Sequence, residues 1–121
     1  MERDLGTQPL DHLLEAWGLS NHEIVEASPE QLTHKQVQRA RSGRRLTLKM
    51  EMKLARSLNF AIWGRLKDEE RENYVEYFPK HLFNYHKAYD PEAADANESL
   101  YGQLAGRKMR KDFRQELGLE D

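Results

Sequence analysis

Residues 33–45 read THKQVQRARSGRR, and this stretch decides how the first half of the chain folds. Thr33 is typical of the residue before a helix, because its hydroxyl can accept a hydrogen bond from a free backbone N–H. Gly43 is typical of a helix end, because glycine adopts the left-handed conformation without strain. Between them, Val37 and Ala40 are apolar and the other residues are polar or basic. We therefore predict a short helix with a narrow buried face and a cationic outer face.

The basic residues of the chain are concentrated in one block. The net charge of the 121-residue chain is −2. Residues 1–32 carry one Lys or Arg against seven acids, whereas residues 33–58 carry eight against one. Like charges at helical spacing repel one another, so the helix gains no stability from this crowding. The crowding of cations is explained if an anionic polymer lies opposite the block, since a localised positive field attracts such a partner. The alternative is a solvated surface with no partner.

Composition argues against several other classes of protein. The chain has no cysteine, which excludes disulfide and thiolate chemistry and fits a cytoplasmic protein. No apolar run approaches the ~20 residues of a membrane span. The first ten residues lack the basic and apolar parts of a signal peptide. The five histidines show no metal-site spacing and no catalytic arrangement stands out, so we expect no metal, no cofactor and no enzyme.

Helix signals recur through the first sixty residues, while strand signals are scarce. Pro9 suits the first position of a helix, and Gly18 suits its end. Ser20 can cap a second helix that ends before Pro29, and Thr47 can cap a fourth. Short connections between four helices predict a compact all-α bundle. Its expected central core is Trp17, Val37, Leu54 and Leu58, and the buried face of the fourth helix adds Leu48, Met50, Met52 and Ala55.

The second half of the chain is rich in aromatic side chains. Eight of the eleven aromatic residues lie between Phe60 and Tyr89. We predict helices over 68–78, 79–89 and 98–117, with a polar linker before the last. Packing against the bundle explains part of the aromatic cluster, and exposed aromatic surface beyond that is typical of an interface. The expected anchors of a homodimer interface are Trp63, Tyr77, Phe78 and Phe83.

Residues 10–59 resemble the Cro/lambda-repressor type of helix-turn-helix, the XRE-like family of bacterial and phage regulators. The shared features are a Leu-Ser start to the second helix, a Thr-capped third helix with a central aliphatic residue, a glycine followed by basic residues, and a Leu-Ala-x-x-Leu ending of the fourth helix. In this chain they fall on Leu19-Ser20, Thr33, Val37, Gly43-Arg44-Arg45 and residues 54–58. The turn Ala27–Leu32 is two residues longer than is usual in the family.

The resemblance implies an all-α fold, with a helix-turn-helix domain over residues 1–59 and an aromatic-rich helical extension over residues 60–121. It also implies a function, which is a transcriptional regulator that binds double-stranded DNA as a homodimer and reads the major groove with its third helix. The alternative is an adaptor that uses the same fold to bind a protein partner or ribosomal RNA.

Individual residues take roles from the same resemblance. Base edges are read by side chains on the outer face of the third helix, and phosphates are held by residues around it. The implied base-contacting residues are His34, Lys35, Gln38 and Arg39. The implied phosphate-contacting residues are Asn21, Thr33, Arg41, Arg44 and Arg45.

Overall fold

The structure is a computed structural model, and it describes residues 5–85 and 87–103. In these ranges the regular secondary structure is helical, which confirms the predicted all-α class. The helices are α1 (Pro9–Trp17), α2 (Asn21–Ala27), α3 (His34–Ser42), α4 (Leu48–Trp63), α5 (Asp68–Arg71) and α6 (Pro79–Leu82). The backbone is helical again over 98–103, and the remainder of the predicted final helix lies outside the described ranges. Among the described helices, none combines the length and apolar character that crossing a membrane requires.

Short-range signals set the starts of the first four helices, as predicted, and glycines end α1 and α3. Pro9 occupies the start of α1, and Gly18 ends it at a φ of 65°. The Ser20 hydroxyl accepts from the backbone N–H at the third position of α2, 3.2 Å away. Thr47 caps α4 in the same way, with its hydroxyl 3.2 Å from the Met50 nitrogen. Each cap satisfies an N–H that the helix itself leaves without a partner.

Gly43 ends α3 and also contacts the N-terminal segment. Its φ is 106°, a conformation that L side chains rarely adopt. A Cβ at this position would lie 1.9 Å from the backbone oxygen of Gly6, so a side chain has no room. The Leu5 N–H donates to the Gly43 carbonyl oxygen over 2.7 Å. The N-terminal segment therefore packs directly on the end of α3.

One hydrophobic core joins the helices. The predicted central residues Trp17, Val37, Leu54 and Leu58 are all buried, which confirms their placement. α4 continues across the predicted domain boundary at residue 59 as far as Trp63. The residues on both sides of that boundary share this core, to which the second half contributes Leu66, Tyr77, Leu82 and Phe83.

The predicted buried face of α4 is partly wrong. Leu48 is 61% exposed and Met52 is 48% exposed. The buried side chains of α4 are Glu51, Leu54, Ala55, Ser57, Leu58 and Ile62. Most of them share one stripe at helical spacing, and Met52 lies about 100° away from Glu51 around the helix. Leu48 is the first residue of α4, and Glu51 is the buried residue of the same turn.

The two helices predicted for residues 68–89 are much shorter than expected. α5 ends at Arg71, and residues 74–78 have no helical backbone. The side-chain amide of Asn97 bonds both backbone groups of Val75, at 2.9 Å to its nitrogen and 2.6 Å to its oxygen. Asn59 bonds both backbone groups of Tyr77 at 2.9 and 2.8 Å. These amides take the place of helical hydrogen bonds, so the segment stays extended.

α6 ends after Leu82, also short of the prediction. Phe83 has an extended backbone and its side chain is fully buried. The N–H of Asn84 donates to Oε1 of Gln8 over 2.8 Å. Gln8 is itself buried, so this bond satisfies a polar group that burial would otherwise leave costly. Tertiary contacts with the N-terminal segment therefore stop the helix.

Candidate nucleic-acid interface

The two faces of α3 differ completely in their surroundings. Val37 and Ala40 are fully buried against the bundle. On the opposite side, each predicted base-contacting residue is exposed to solvent. The structure therefore brings these polar side chains together on one outward surface, which we call the α3 face: His34, Lys35, Gln38 and Arg39.

The start of α3 is closed by a reciprocal cap. The Thr33 hydroxyl accepts from the Gln36 N–H over 3.1 Å, and the Thr33 N–H donates to Oε1 of Gln36 over 3.0 Å. In the described part of the chain, the backbone N–H groups of His34 and Lys35 have no acceptor. Such free N–H groups at a helix start attract anions, because the helix dipole is positive there.

Arg41 differs from the other predicted phosphate contacts. Its Nε donates to Oδ1 of Asp11 over 2.6 Å, and its Nη1 donates to Oδ1 of Asn21 over 2.7 Å. The ion pair with Asp11 joins α3 to α1, and both side chains are largely shielded from water. The Asp11 carboxylate therefore balances the charge of Arg41 inside the protein, so less of that charge is available to a phosphate.

Asn21 links the same group of side chains to the α3 face. Its Nδ2 donates to Oε1 of Gln38 over 3.0 Å. The two residues belong to α2 and α3 and stand seventeen positions apart. No sequence spacing indicates such a bond, because it depends on how the two helices cross.

His34 and His22 also pair across α2 and α3. Nδ1 of His22 lies 3.3 Å from Nε2 of His34, and the ring planes are within 10° of parallel. A hydrogen bond at this distance needs one N–H and one free nitrogen lone pair. Nε2 of His22 lies 3.6 Å from Glu26. The crossing of α2 and α3 therefore brings His34 to His22, which their spacing in the sequence does not indicate. In the described residues, no group of three or more potential ligands is arranged to hold a metal ion.

The loop after α3 is supported by the second half of the chain. The N–H of Leu46 donates to the Tyr85 hydroxyl over 3.1 Å, and the Arg45 guanidinium lies 5.7 Å from the Tyr85 ring centre. Burial raises the pKa of Tyr85 to about 12. Arg45 is exposed and Arg44 is half-buried. Sequence reasoning missed Tyr85, which steadies this loop from thirty-nine residues away.

Three cations of this region have no acidic partner. Lys35, Arg39 and Arg44 form no ion pair within residues 5–85 and 87–103. By contrast, Arg65 pairs with Glu23, and Arg56 pairs with Glu30 at 3.2 Å. The cations of the α3 face and its following loop therefore keep a positive field that no acidic side chain of residues 5–85 and 87–103 neutralises by pairing with them.

The long turn between α2 and α3 is well supported. The Ser28 hydroxyl donates to the Glu30 carbonyl oxygen over 2.6 Å and accepts from the Glu30 N–H over 3.2 Å. The Glu30 carboxylate pairs with Arg56 of α4, and Leu32 is buried in the core. The turn is therefore held near its start by the bonds of Ser28 and Glu30, and at its end by the burial of Leu32.

The predicted interface residues divide into two groups. Tyr77 and Phe83 are enclosed in this chain's own core, and in this arrangement they offer no surface to a second copy. Trp63 is 43% exposed and Phe78 is 49% exposed. Phe60, which begins the aromatic region but is not among the predicted anchors, is 50% exposed.

An open groove of about 340 Å³ lies on the outer side of α4. Half of the side chains around it are aromatic, and Arg71 lies over the Trp63 ring at 5.0 Å from its centre. Its lining residues are Arg56, Asn59, Phe60, Trp63, Tyr74 and Glu76. Exposed apolar area of this kind is typical of an interaction surface.

A larger groove of about 600 Å³ lies between α1 and the segments around Tyr77 and Asn97. Two of the polar side chains that line it, Asp95 and His81, form hydrogen bonds within the protein. Asp95 accepts from the Tyr77 hydroxyl at 2.9 Å, and His81 Nδ1 accepts from the Phe78 N–H at 2.9 Å. Burial is the largest of the effects that lower the pKa of His81.

No protein-family model matches this chain, and neither a curated protein nor a solved structure is found to be similar to it.

Proposed function

We propose that this chain is a transcriptional regulator that binds double-stranded DNA through a helix-turn-helix of the Cro/lambda-repressor type. α2 and α3 form the helix-turn-helix, and the α3 face enters the major groove. The observation that carries the proposal is the contrast between the two sides of α3. One side is fixed in the core, and the other presents four polar or cationic side chains to solvent.

The chemistry of the α3 face fits base edges. Lys35 and Arg39 donate hydrogen bonds that guanine O6 and N7 can accept. Both cations are without an acidic partner in the described part of the chain, so they are available to an anionic ligand. A protein without such a ligand gains nothing from crowding these charges on one short helix.

Phosphate contacts come from the ends of α3. The free N–H groups at the start of α3 lie on one side of the α3 face along the helix. On the other side, after the helix end, are the side chains of Arg44 and Arg45. Contacts of this kind set the position of a protein on the duplex without reading sequence. Arg41 is not among them in this proposal, because Asp11 holds it.

We propose further that the active form is a homodimer. Met52, Arg56, Phe60 and Trp63 follow one another along the outer side of α4 at helical spacing. Met52, Phe60 and Trp63 are each about half exposed, although they are large apolar side chains. A second copy that covers this stripe removes that apolar surface from water.

The adaptor function remains the second candidate, and the same groove on α4 favours it. An aromatic groove that also carries Arg56 and Glu76 fits a peptide or helix of another protein. In that case the groove holds the partner, and duplex DNA binds weakly at every salt concentration.

A salt titration of duplex binding, followed by fluorescence anisotropy, tests the DNA proposal. We expect the logarithm of the binding constant to fall linearly with the logarithm of salt concentration. The Arg44→Ala/Arg45→Ala double variant should weaken binding to all duplexes and reduce the slope by about one to two counterions. Lys67→Ala/Lys80→Ala removes the same charge elsewhere and is the matched control. An equal loss in both variants, or no binding by the wild type, contradicts the proposal.

A further inference from the structure

Tyr85 contacts the loop after α3 at two points, and both belong to Arg45 or to the peptide bond that follows it. The N–H of Leu46, which is part of that peptide bond, donates to the Tyr85 hydroxyl over 3.1 Å. The Arg45 guanidinium lies 5.7 Å from the centre of the Tyr85 ring. A cation within about 6 Å of a ring centre is attracted to the face of the ring. Tyr85 therefore holds both the backbone and the side chain of Arg45.

The Tyr85 hydroxyl is itself held by α4. It forms a side-chain hydrogen bond with Glu51, which is only 3% exposed. A carboxylate accepts and a backbone N–H donates, so the phenol gives its proton to Glu51 and accepts from Leu46. Glu51 is the one acid in the basic block of residues 33–58. This acid thus lies inside the protein, where it fixes the Tyr85 hydroxyl against the loop.

Arg44, the neighbouring cation of the loop, is held in a different way. Its N–H donates to the Arg39 carbonyl oxygen over 3.0 Å, so its backbone belongs to the end of α3. This bond does not involve Tyr85. The two adjacent arginines therefore depend on different parts of the chain, since α3 holds Arg44 and the second half of the chain holds Arg45.

We infer that Tyr85 is a positioning residue for DNA binding and that it acts through Arg45, whose guanidinium it holds in place for a phosphate. The inference rests on the proposed DNA binding by the α3 face and the loop that follows it. A long side chain loses rotamer freedom when it binds a ligand, and this loss opposes binding. Contact with the Tyr85 ring restricts Arg45 before the duplex arrives, so less freedom is lost on binding. A residue outside the helix-turn-helix thus contributes to its affinity for DNA.

A double-mutant cycle for duplex binding by the full-length protein tests this coupling. Tyr85→Leu removes both the hydroxyl and the ring. We expect it to weaken binding to all duplexes by about two- to fivefold, which corresponds to one exposed cation–π contact. In Arg45→Ala the same change should have no further effect, because the side chain that Tyr85 positions is already gone. In Arg44→Ala, the matched control, it should cost the same factor as in the wild type.

A merely structural role for Tyr85 gives a different result. Tyr85→Leu would then weaken binding by one factor in all three backgrounds, and that outcome overturns the inference. Unchanged binding by Tyr85→Leu overturns it as well. Circular dichroism verifies that each variant is folded. If Tyr85→Leu does not fold, Tyr85→Phe, which keeps the ring, takes its place in the cycle with the same pattern expected.

The hydrogen bond to the loop can also be tested without DNA. In the free protein, NMR should show slow exchange of the Leu46 amide proton and faster exchange in Tyr85→Phe, while the Arg44 amide exchanges equally in both. Equal exchange at Leu46 in the two proteins overturns the inference whether or not DNA is bound. A wild type in which Tyr85 protects Leu46 but which binds no duplex at any salt concentration contradicts the proposed function instead, and the role of Tyr85 in DNA binding falls with it.

Discussion

The indole N–H of Trp17 donates a hydrogen bond to the Tyr77 hydroxyl across 3.3 Å. Trp17 ends α1 and Tyr77 lies in the extended segment before α6, sixty residues later. The same hydroxyl donates to the Asp95 carboxylate at 2.9 Å. One buried phenol therefore connects the first helix, the extended segment and the residues that precede the final described helix.

The Tyr77 hydroxyl should contribute measurably to stability. Tyr77→Phe keeps the ring but leaves the Trp17 N–H and the Asp95 carboxylate without this partner. We expect a loss of about 1–3 kcal/mol in the free energy of unfolding, measured by urea denaturation. Tyr89→Phe, which removes a hydroxyl with no hydrogen bond in the described residues, is the matched control. Equal stability of the two variants contradicts the assignment.

Two glycines should respond oppositely to alanine. Gly43→Ala forces a side chain into a left-handed conformation and against the Gly6 backbone, so we expect a loss of about 1–3 kcal/mol. Gly102 lies in helical backbone, and a Cβ there has no atom of the described residues within 4 Å. Gly102→Ala should leave stability unchanged or raise it by about 0.4–1 kcal/mol. A Gly43→Ala variant as stable as the wild type in urea denaturation would mean that the N-terminal segment does not pack on α3.

The chain should lose stability at alkaline pH. Burial is the largest cause that raises the pKa of Tyr74 and Tyr77, and burial raises that of Tyr85 to about 12. A raised pKa means that folding favours the protonated phenol. This stabilisation is complete below about pH 10, the ordinary value for tyrosine, and is lost as pH rises through the folded-state value.

Urea denaturation at about pH 8 and about pH 11 measures this effect, since only the second lies above the ordinary tyrosine pKa. We expect a lower midpoint at the higher pH. In Tyr85→Phe the difference between the two midpoints should be smaller, because one ionising group is gone. Identical wild-type midpoints at both pH values would contradict the placement of these phenols.

The outer stripe of α4 should control the oligomeric state. Sedimentation equilibrium at micromolar concentration should give a dimer mass for the wild type and a monomer mass for Phe60→Ser/Trp63→Ser. Leu48→Ser removes a still more exposed apolar side chain from the first turn of α4 and should remain dimeric. Circular dichroism verifies that each variant is folded. A monomer mass for the wild type rules out the homodimer.

The first four helices were predictable because their signals are local. Ser20, Thr33 and Thr47 each cap a helix through a backbone N–H three residues away, and Gly18 and Gly43 end helices through their own φ angles. The spacing of apolar residues on one side of a helix also depends only on helix geometry. The exposed residues of the α3 face follow from the same periodicity.

In the second half of the chain, tertiary contacts decided the backbone conformation of the segment before α6. Residues 74–78 are rich in aromatic and apolar side chains and leave the backbone conformation open, and it is the amides of Asn59 and Asn97 that hold the segment extended. The pairs Arg41–Asp11 and Asn21–Gln38 likewise join residues thirty and seventeen positions apart. Bonds of this kind form only after helices have packed at a particular angle, so no short-range pattern encodes them. The sequence by itself therefore determined which face of α3 is outward, and the packing of α1 and α2 against α3 determined which side chains of that helix, Arg41 and Gln38 among them, bond to other helices.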